Sequence, residues 1–269
     1  MQSPKKVPWR FTKNVVGMVH LLPLPGSPGY DGSMQAVLER ARRDTRALID
    51  GGVDGIIVEN YGDTPFYPDH LPAPAISALA ISVAEVRKLT DLPLGVNALR
   101  NDAESALGIA VVTGAEFIRV NVHTGAMLTD QGWIAGRAHE TLRLRAALHS
   151  DVAVFADVMV KHSVAPAGLS IEDAAADAFE RGGADALIVS GKATGAPTDP
   201  HEAARVKQVV PRTPLWIGSG VTTENVAELL EIADGVIVGS AFEKHGRAGS
   251  EVETERVRRL VDVVRKSHS

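Results

Sequence analysis

The sequence predicts a single (β/α)8 TIM barrel, and three observations carry the prediction. Short apolar runs rich in Val and Ile alternate with amphipathic stretches along the whole 269-residue chain. Gly, Pro, Asp or Thr punctuates each boundary, where turns and helix caps belong. Eight such units fit this length as one closed barrel, whereas an open doubly wound sheet seldom runs through eight consecutive parallel strands.

In order, strands are expected at 14–21 (NVVGMVHL), 55–60 (GIIVEN), 93–99 (PLGVNAL), 116–123 (EFIRVNVH), 152–160 (VAVFADVMV), 186–191 (ALIVSG), 214–219 (PLWIGS) and 235–240 (GVIVGS). A helical pattern follows each, from MQAVLERARRDTRALID after the first to ETERVRRLVDVVRKS after the last. The four even-numbered strands share a pattern of small, acidic, any, apolar, any, Val: GGVDGIIVEN, TGAEFIRVN, GGADALIVSG and IADGVIVGS. A motif on alternate strands suggests a quasi-symmetric closed barrel. Within it, Ile56/Val58, Ile118/Val120, Leu187/Val189 and Val236/Val238 form an apolar face expected under the helices. The other face carries Arg119 and ends in Glu59, Asn121, Ser190 and Gly239, so it should point into the barrel with its polar end at the C-terminal mouth. Residues 1–13 read as an N-terminal extension and 14–269 as the barrel domain, with no second domain.

A formal charge of -5 with interspersed signs offers no basic field for nucleic acid or an anionic membrane. The absence of cysteine excludes disulfides, thiolate metal sites and a Cys nucleophile. No run approaches the length of a membrane span and the N-terminus lacks a signal-peptide core, so a cytoplasmic protein is expected. WRF near the start and the Arg-rich stretch 137–145 read as solvated faces or contacts within a homo-oligomer.

Two groups of residues could carry chemistry. Gly218, Ser219 and Gly220 follow the seventh strand and Gly239-Ser240 ends the eighth, the places where barrels of this class hold a phosphate on backbone N–H groups. Gly and Ser also make tight turns without any ligand. At the other strand ends stand Glu59, Asn97, Asn121, His123, Asp157, Lys161 and His162, with Ser190 and Lys192 on the sixth strand and His20 on the first. Asp157 and Lys161 share one strand face and fit a pair dividing base and acid roles, and Lys161 or Lys192 suits a Schiff base if burial lowers its pKa. Glu59 suits a general base or a loop-fixing carboxylate. Arg119 lies deeper and fits a buried charge partner of Asp157 or Glu59. His20, His123, His162, Glu59 and Asp157 offer metal donors, but no HxH or HExxH spacing arranges them, and no cofactor is expected.

Taken together, VVGMVHLLPLPGSPGYDG, DGIIVENYGDTPF, FADVMVKHS, GSGVTTENV and ADGVIVGSAFEK resemble the BtpA family, over roughly residues 14–265. The resemblance implies a TIM barrel with a phosphate grip, and places the matching motif positions at His20, Glu59, Asn60, Asp157, Lys161 and His162 and at the glycines of the last two strands. The family takes its name from a protein implicated in photosystem I biogenesis, and SgcQ-like relatives accompany sugar-utilisation genes. The expectation is an enzyme on a small phosphorylated substrate, a sugar phosphate or phosphoribosyl compound. Glu59, Asp157 and Lys161 would carry isomerase or lyase chemistry beside a carbonyl, or hydrolase cleavage of a glycosidic bond by two carboxylates. The rival is a non-catalytic assembly or stability factor built on the same scaffold.

Overall fold

Eight strands close on themselves in a computed structural model that describes residues 8–9, 13–191 and 193–267. They are β1 (Asn14–His20), β2 (Gly55–Glu59), β3 (Leu94–Asn97), β4 (Phe117–Val120), β5 (Ala153–Asp157), β6 (Ala186–Val189), β7 (Leu215–Ile217) and β8 (Gly235–Val238), all parallel and in sequential order round the barrel. Helices α1 (Met34–Gly51), α2 (Ala73–Arg87), α3 (Ala103–Thr113), α4 (Ala138–Ala147), α5 (Ile171–Ala176), α6 (Pro200–Val209), α7 (Val226–Ile232) and α8 (Thr254–Lys266) follow the strands in turn. Their ends obey local chemistry. Ser33 and Asp102 cap α1 and α3 by accepting backbone N–H bonds, and Gly52 closes α1 in the left-handed conformation at φ 89°.

Strand alternation sorts the side chains as the repeat predicts. Ile56, Val58, Ile118, Val120, Leu187, Val189, Val236 and Val238 pack in the layer beneath the helices. Ile57, Phe117, Phe155, Ile188, Trp216 and Ile237 fill the barrel's interior below the mouth. Trp9 completes this floor, 4.7 Å from Trp216 and 5.1 Å from Phe117 between ring centroids, with its indole N–H on the Asp54 carbonyl at 2.8 Å. It is therefore half-buried against the barrel floor and not on a solvated face, while Arg10 and Phe11 lie outside the described residues. Aromatic area buried at the base is worth more to the fold than any outward placement.

The acid of the repeat has a structural task. Asp54, Glu116, Asp185 and Asp234 each accept the N–H of a residue at the start of the preceding strand: Val15, Leu94, Val154 and Leu215, at 2.8, 2.8, 2.8 and 2.9 Å. Each is also paired with a cation, Arg265, Arg87, Arg145 and Lys207 respectively. Four times around the barrel, one carboxylate ties two strands at their N-terminal ends to a helix. The conserved spacing within the repeat thus serves the base of the barrel, and the chemistry is left to the opposite end.

A second, three-stranded sheet stands over β4 and β5, formed by Ala126–Thr129, Gly132–Ala135 and Ser163–Val164. Met127 and Ile134 bury one face against Val122 and Val160. Leu128, Trp133 and Val164, directly opposite one another, expose the other.

The staples should differ in strength with burial. Asp185→Ala strands a buried Arg145 and the Val154 N–H and is expected to cost about 3–5 kcal/mol in urea unfolding. Asp54→Ala releases an exposed Arg265 and leaves mainly the Val15 N–H unsatisfied, for about 1–3 kcal/mol. Equal losses would contradict this account of the repeat.

Candidate active site

The barrel register brings the polar strand ends together. His20 pairs with Glu59, and Glu59 with Asn97, as neighbours across the β1–β2–β3 ladder. Beneath them lies the buried ion pair of the interior. The Arg119 guanidinium grips Asp157 with two bonds, Nε to Oδ2 at 3.0 Å and Nη2 to Oδ1 at 2.9 Å. Asn121 Nδ2 donates to Oδ2 at 2.8 Å and Ser190 Oγ to Oδ1 at 3.1 Å. Asn97 Nδ2 adds contacts to the Arg119 carbonyl and Asn121 Oδ1, both at 3.3 Å. Burial alone would lower the Arg119 pKa, but the charge and hydrogen bonds of Asp157 hold it above the ordinary arginine value.

Asp157 therefore accepts four hydrogen bonds and has no oxygen left for substrate. Its expected catalytic role gives way to a positioning one. Ser190 is spent on the same network.

Glu59 and Lys161 stand differently. Glu59 is 3% exposed and lines the mouth, and among the described residues His20 Nε2, at 3.6 Å, is the one ion-pair partner of its carboxylate. The Lys161 amine finds no hydrogen-bond or ion-pair partner among the described residues. Burial, then the charge of Arg119, pushes it below the usual lysine range against the pull of Glu59 and Asp157. His20 completes the group: its Nδ1 lies 2.6 Å from Glu243 Oε1 and its ring packs on Tyr61 at 4.5 Å. Glu243 is wholly buried. It fixes the imidazole so that Nε2 faces Glu59.

Two clefts meet at these residues. One, of about 330 Å³, is walled by Tyr61, Phe66, Arg100, Asn121, Asp130 and His162. The other is a narrow space of about 30 Å³ under Thr194 and Gly195, walled by Gly218, Ser219, Gly220, Val221, Gly239 and Ser240. Glu59, Arg119, Lys161 and Thr194 line both, so the two are one continuous site.

The small residues of this second cleft answer to their neighbours. A Cβ on Gly218 would lie 2.5 Å from Ile188 and 2.7 Å from Ser190 Oγ, one on Gly220 2.1 Å from the Ala196 carbonyl, and one on Gly239 2.9 Å from His20. Ser219 turns its hydroxyl to the Ala193 carbonyl at 3.1 Å. Asn225 stitches the turn, accepting from Thr222 N–H at 2.8 Å and donating to the Gly220 carbonyl at 2.9 Å. No acceptor among the described residues meets the N–H groups of Ser219, Gly220, Val221, Ser240 or Ala241.

Other expected residues fall elsewhere. His123 is buried away from the mouth, because the chain beyond Val120 leaves the strand and carries the ring to the Gly182 carbonyl at 2.9 Å. His162 sits on the rim, where Nε2 accepts the Thr194 N–H at 3.1 Å and latches the loop over the narrow cleft. Burial, then the charges of Lys161 and Arg100, keeps its pKa below the ordinary value. Lys192 lies outside the described residues. Glu243 and Arg100 were not singled out in the sequence: Glu243 belongs to the loop GSAFEK after the last strand, and Arg100 stands beyond the end of β3. Among the described residues no three His, Asp or Glu converge as metal ligands, and no helix is long and apolar enough to cross a membrane.

Residues 11–266 match the model of the BtpA family. The chain belongs to that family. It is 46% identical over 93% of its length to the photosystem I biogenesis protein BtpA of Synechocystis, covering 87% of that protein. An uncharacterized family protein of Thermococcus kodakarensis is 47% identical, with 94% of this chain and 96% of that one aligned. In structure the chain is similar to N-(5'-phosphoribosyl)anthranilate isomerase of Pyrococcus furiosus, with a TM-score of 0.56, 15% identity and coverage of 94% and 99%. That likeness establishes the TIM-barrel fold.

Two outcomes check these placements. Asp157→Asn breaks a buried ion pair and should cost about 3–5 kcal/mol of stability, while Glu59→Gln should change it by less than about 1 kcal/mol. A destabilised Glu59→Gln beside a neutral Asp157→Asn would reverse the assignment. Burial also depresses the His123 imidazole from its ordinary 6.5. The unfolded chain then takes up a proton that the folded one refuses, so stability is full above that value and declines as pH falls below it. His123→Asn should flatten the decline in Tm between about pH 7 and pH 5; an unchanged slope would contradict it.

Proposed function

We propose that the protein is an enzyme that moves protons beside a carbonyl of a small phosphorylated substrate, as an isomerase or lyase. The observation that carries this reading is the run of N–H groups without an acceptor among the described residues at Ser219–Val221 and Ser240–Ala241, residues that line the same cleft as Glu59 and Lys161. Five amide donors around a space enclosed by glycines suit a phosphate. The turn at Thr194 and Gly195 is the piece that must yield to admit it.

Glu59 serves as the base, being a buried carboxylate that lines the cleft and meets no hydrogen-bond donor among the described residues. Lys161 supplies either an ammonium group at the developing oxyanion or, through its depressed pKa, a neutral amine for a Schiff base. His20, oriented by Glu243, faces the same point and can exchange a proton with a substrate oxygen. Cleavage of a glycosidic bond by paired carboxylates is the weaker fit, since Asp157 has no free oxygen to act as the second.

A second reading draws on the Synechocystis relative's name and on the exposed apolar triad of Leu128, Trp133 and Val164: a role in assembling a larger complex. The polar lining of the wider cleft favours the enzyme.

A thermal-shift screen of phosphorylated sugars and nucleotides, each beside its dephosphorylated form, tests the reading. A true ligand at a hundredfold excess over its Kd should stabilise the protein by about 2.7 kcal/mol, and the dephosphorylated form should not. Glu59→Gln and Lys161→Met should keep that shift and lose about 10²–10⁴ in turnover. No shift from any phosphorylated compound would overturn the proposal.

A further inference from the structure

Arg100 is 5% exposed and lines the wider cleft beside Glu59, Tyr61, Asn121 and Lys161. Its Nη2 donates to the Lys161 carbonyl at 2.7 Å. Nε is buried with no acceptor, and Nη1 has none among the described residues. Among the described residues no carboxylate comes within ion-pair distance of the guanidinium, although Asp157, Asp130 and Glu59 all act on it from further off. Asp157 is held by Arg119, Glu59 faces His20, and Asp130 stands exposed on the hairpin of the small sheet with its carboxylate on the Gln131 amide. Burial consequently outweighs the attraction of these carboxylates and draws the Arg100 pKa below its ordinary value. A guanidinium this deeply buried is costly unless an anion meets it.

Barrel geometry sets where that anion belongs. Arg100 follows β3, and the amide cluster follows β7 and β8, so the two stand on opposite sides of the mouth with Glu59 and Lys161 between them. A planar guanidinium with uncommitted N–H donors recognises a carboxylate or a phosphate. The flanking charges decide between them. With Asp157 already paired to Arg119, Glu59 and Asp130 remain near the guanidinium, so a monoanion matches its charge, whereas a dianion would add negative charge beside both carboxylates.

We propose that Arg100 binds a carboxylate of the substrate, so that the molecule is a phosphorylated acid held at both ends across the barrel mouth. The inference rests on the phosphate-enzyme reading above and narrows its substrate class. The reacting carbon then lies between the two anionic ends, over Glu59 and Lys161. Binding at both ends fixes the substrate's direction in the cleft, which a single phosphate contact cannot do.

Matched probes test it by calorimetry on the full chain. Use 6-phosphogluconate against sorbitol 6-phosphate, which differ only in carboxylate against hydroxymethyl, and the shorter pair 3-phosphoglycerate against glycerol 3-phosphate. Gluconate and fructose 1,6-bisphosphate are added singly. In the wild type the acid of at least one pair should bind about tenfold or more tightly than its partner. Arg100→Gln should erase that preference while leaving the affinity for the carboxylate-free partner unchanged, and Arg100→Lys should restore part of it. Melting temperatures of both variants establish that they are folded, and the Lys variant carries the test if the Gln variant is not. No preference within a pair that does bind, no binding by any of the probes, a preference that survives in Arg100→Gln, or a gain confined to the bisphosphate would overturn the assignment. Should no phosphorylated probe bind while gluconate binds in an Arg100-dependent way, the phosphate reading fails and the carboxylate site stands.

Discussion

Inside the barrel, just below its mouth, Arg119 and Asp157 face each other with almost no access to water. The pair is tolerable there because every acceptor position of the carboxylate is filled, by two guanidinium nitrogens, the Asn121 amide and the Ser190 hydroxyl. Four strand ends or their extensions contribute to the arrangement once the Asn97 amide is included. The network forms a polar floor that separates the aromatic plug below from the reactive groups above. Its charge also reaches upward, since Arg119 is, after burial, the largest influence depressing the Lys161 amine. An interaction that takes no direct part in a reaction thus determines what stands above it.

Space for that network comes from missing side chains. Gly218 leaves room for the Ser190 hydroxyl and the Arg119 guanidinium, and Gly239 for the His20 ring. Gly220, at φ 65°, lets the 196–197 backbone pass close by. The β7 and β8 ends thereby come close to the 193–197 turn, which overlies the N–H groups that meet no acceptor among the described residues.

Much of this was legible in the sequence because period-2 alternation and a four-fold repeat act over many residues. The eight strands, the apolar layer under the helices and the inward direction of Arg119 and Glu59 follow from those periodicities. The division of labour among the polar residues does not. Asp157 and Glu59 look alike as acids at strand ends and are equally buried, and only the count of donors around each separates a saturated carboxylate from an unsaturated one. His123 continues the alternation of Arg119 and Asn121 on paper, yet the strand ends at Val120 and the ring turns to the Gly182 carbonyl. Glu243 and Arg100 carry no motif. Their importance arises from partners distant in sequence, His20 in the first case and the Lys161 carbonyl in the second.

Family membership and fold set the frame within which the site is read, while the mouth itself carries the claim that an anion is held by backbone amides beside Glu59 and Lys161. The most direct measurement is an amide NMR titration of the full chain with inorganic phosphate. The account predicts saturable shifts concentrated at Ser219, Gly220, Val221, Ser240 and Ala241, with smaller responses at Thr194 and Gly195 as the overlying turn yields. Shifts confined to the exposed basic helix surface around Arg256 and Arg259, or no saturable shift at the β7 and β8 ends, would contradict it.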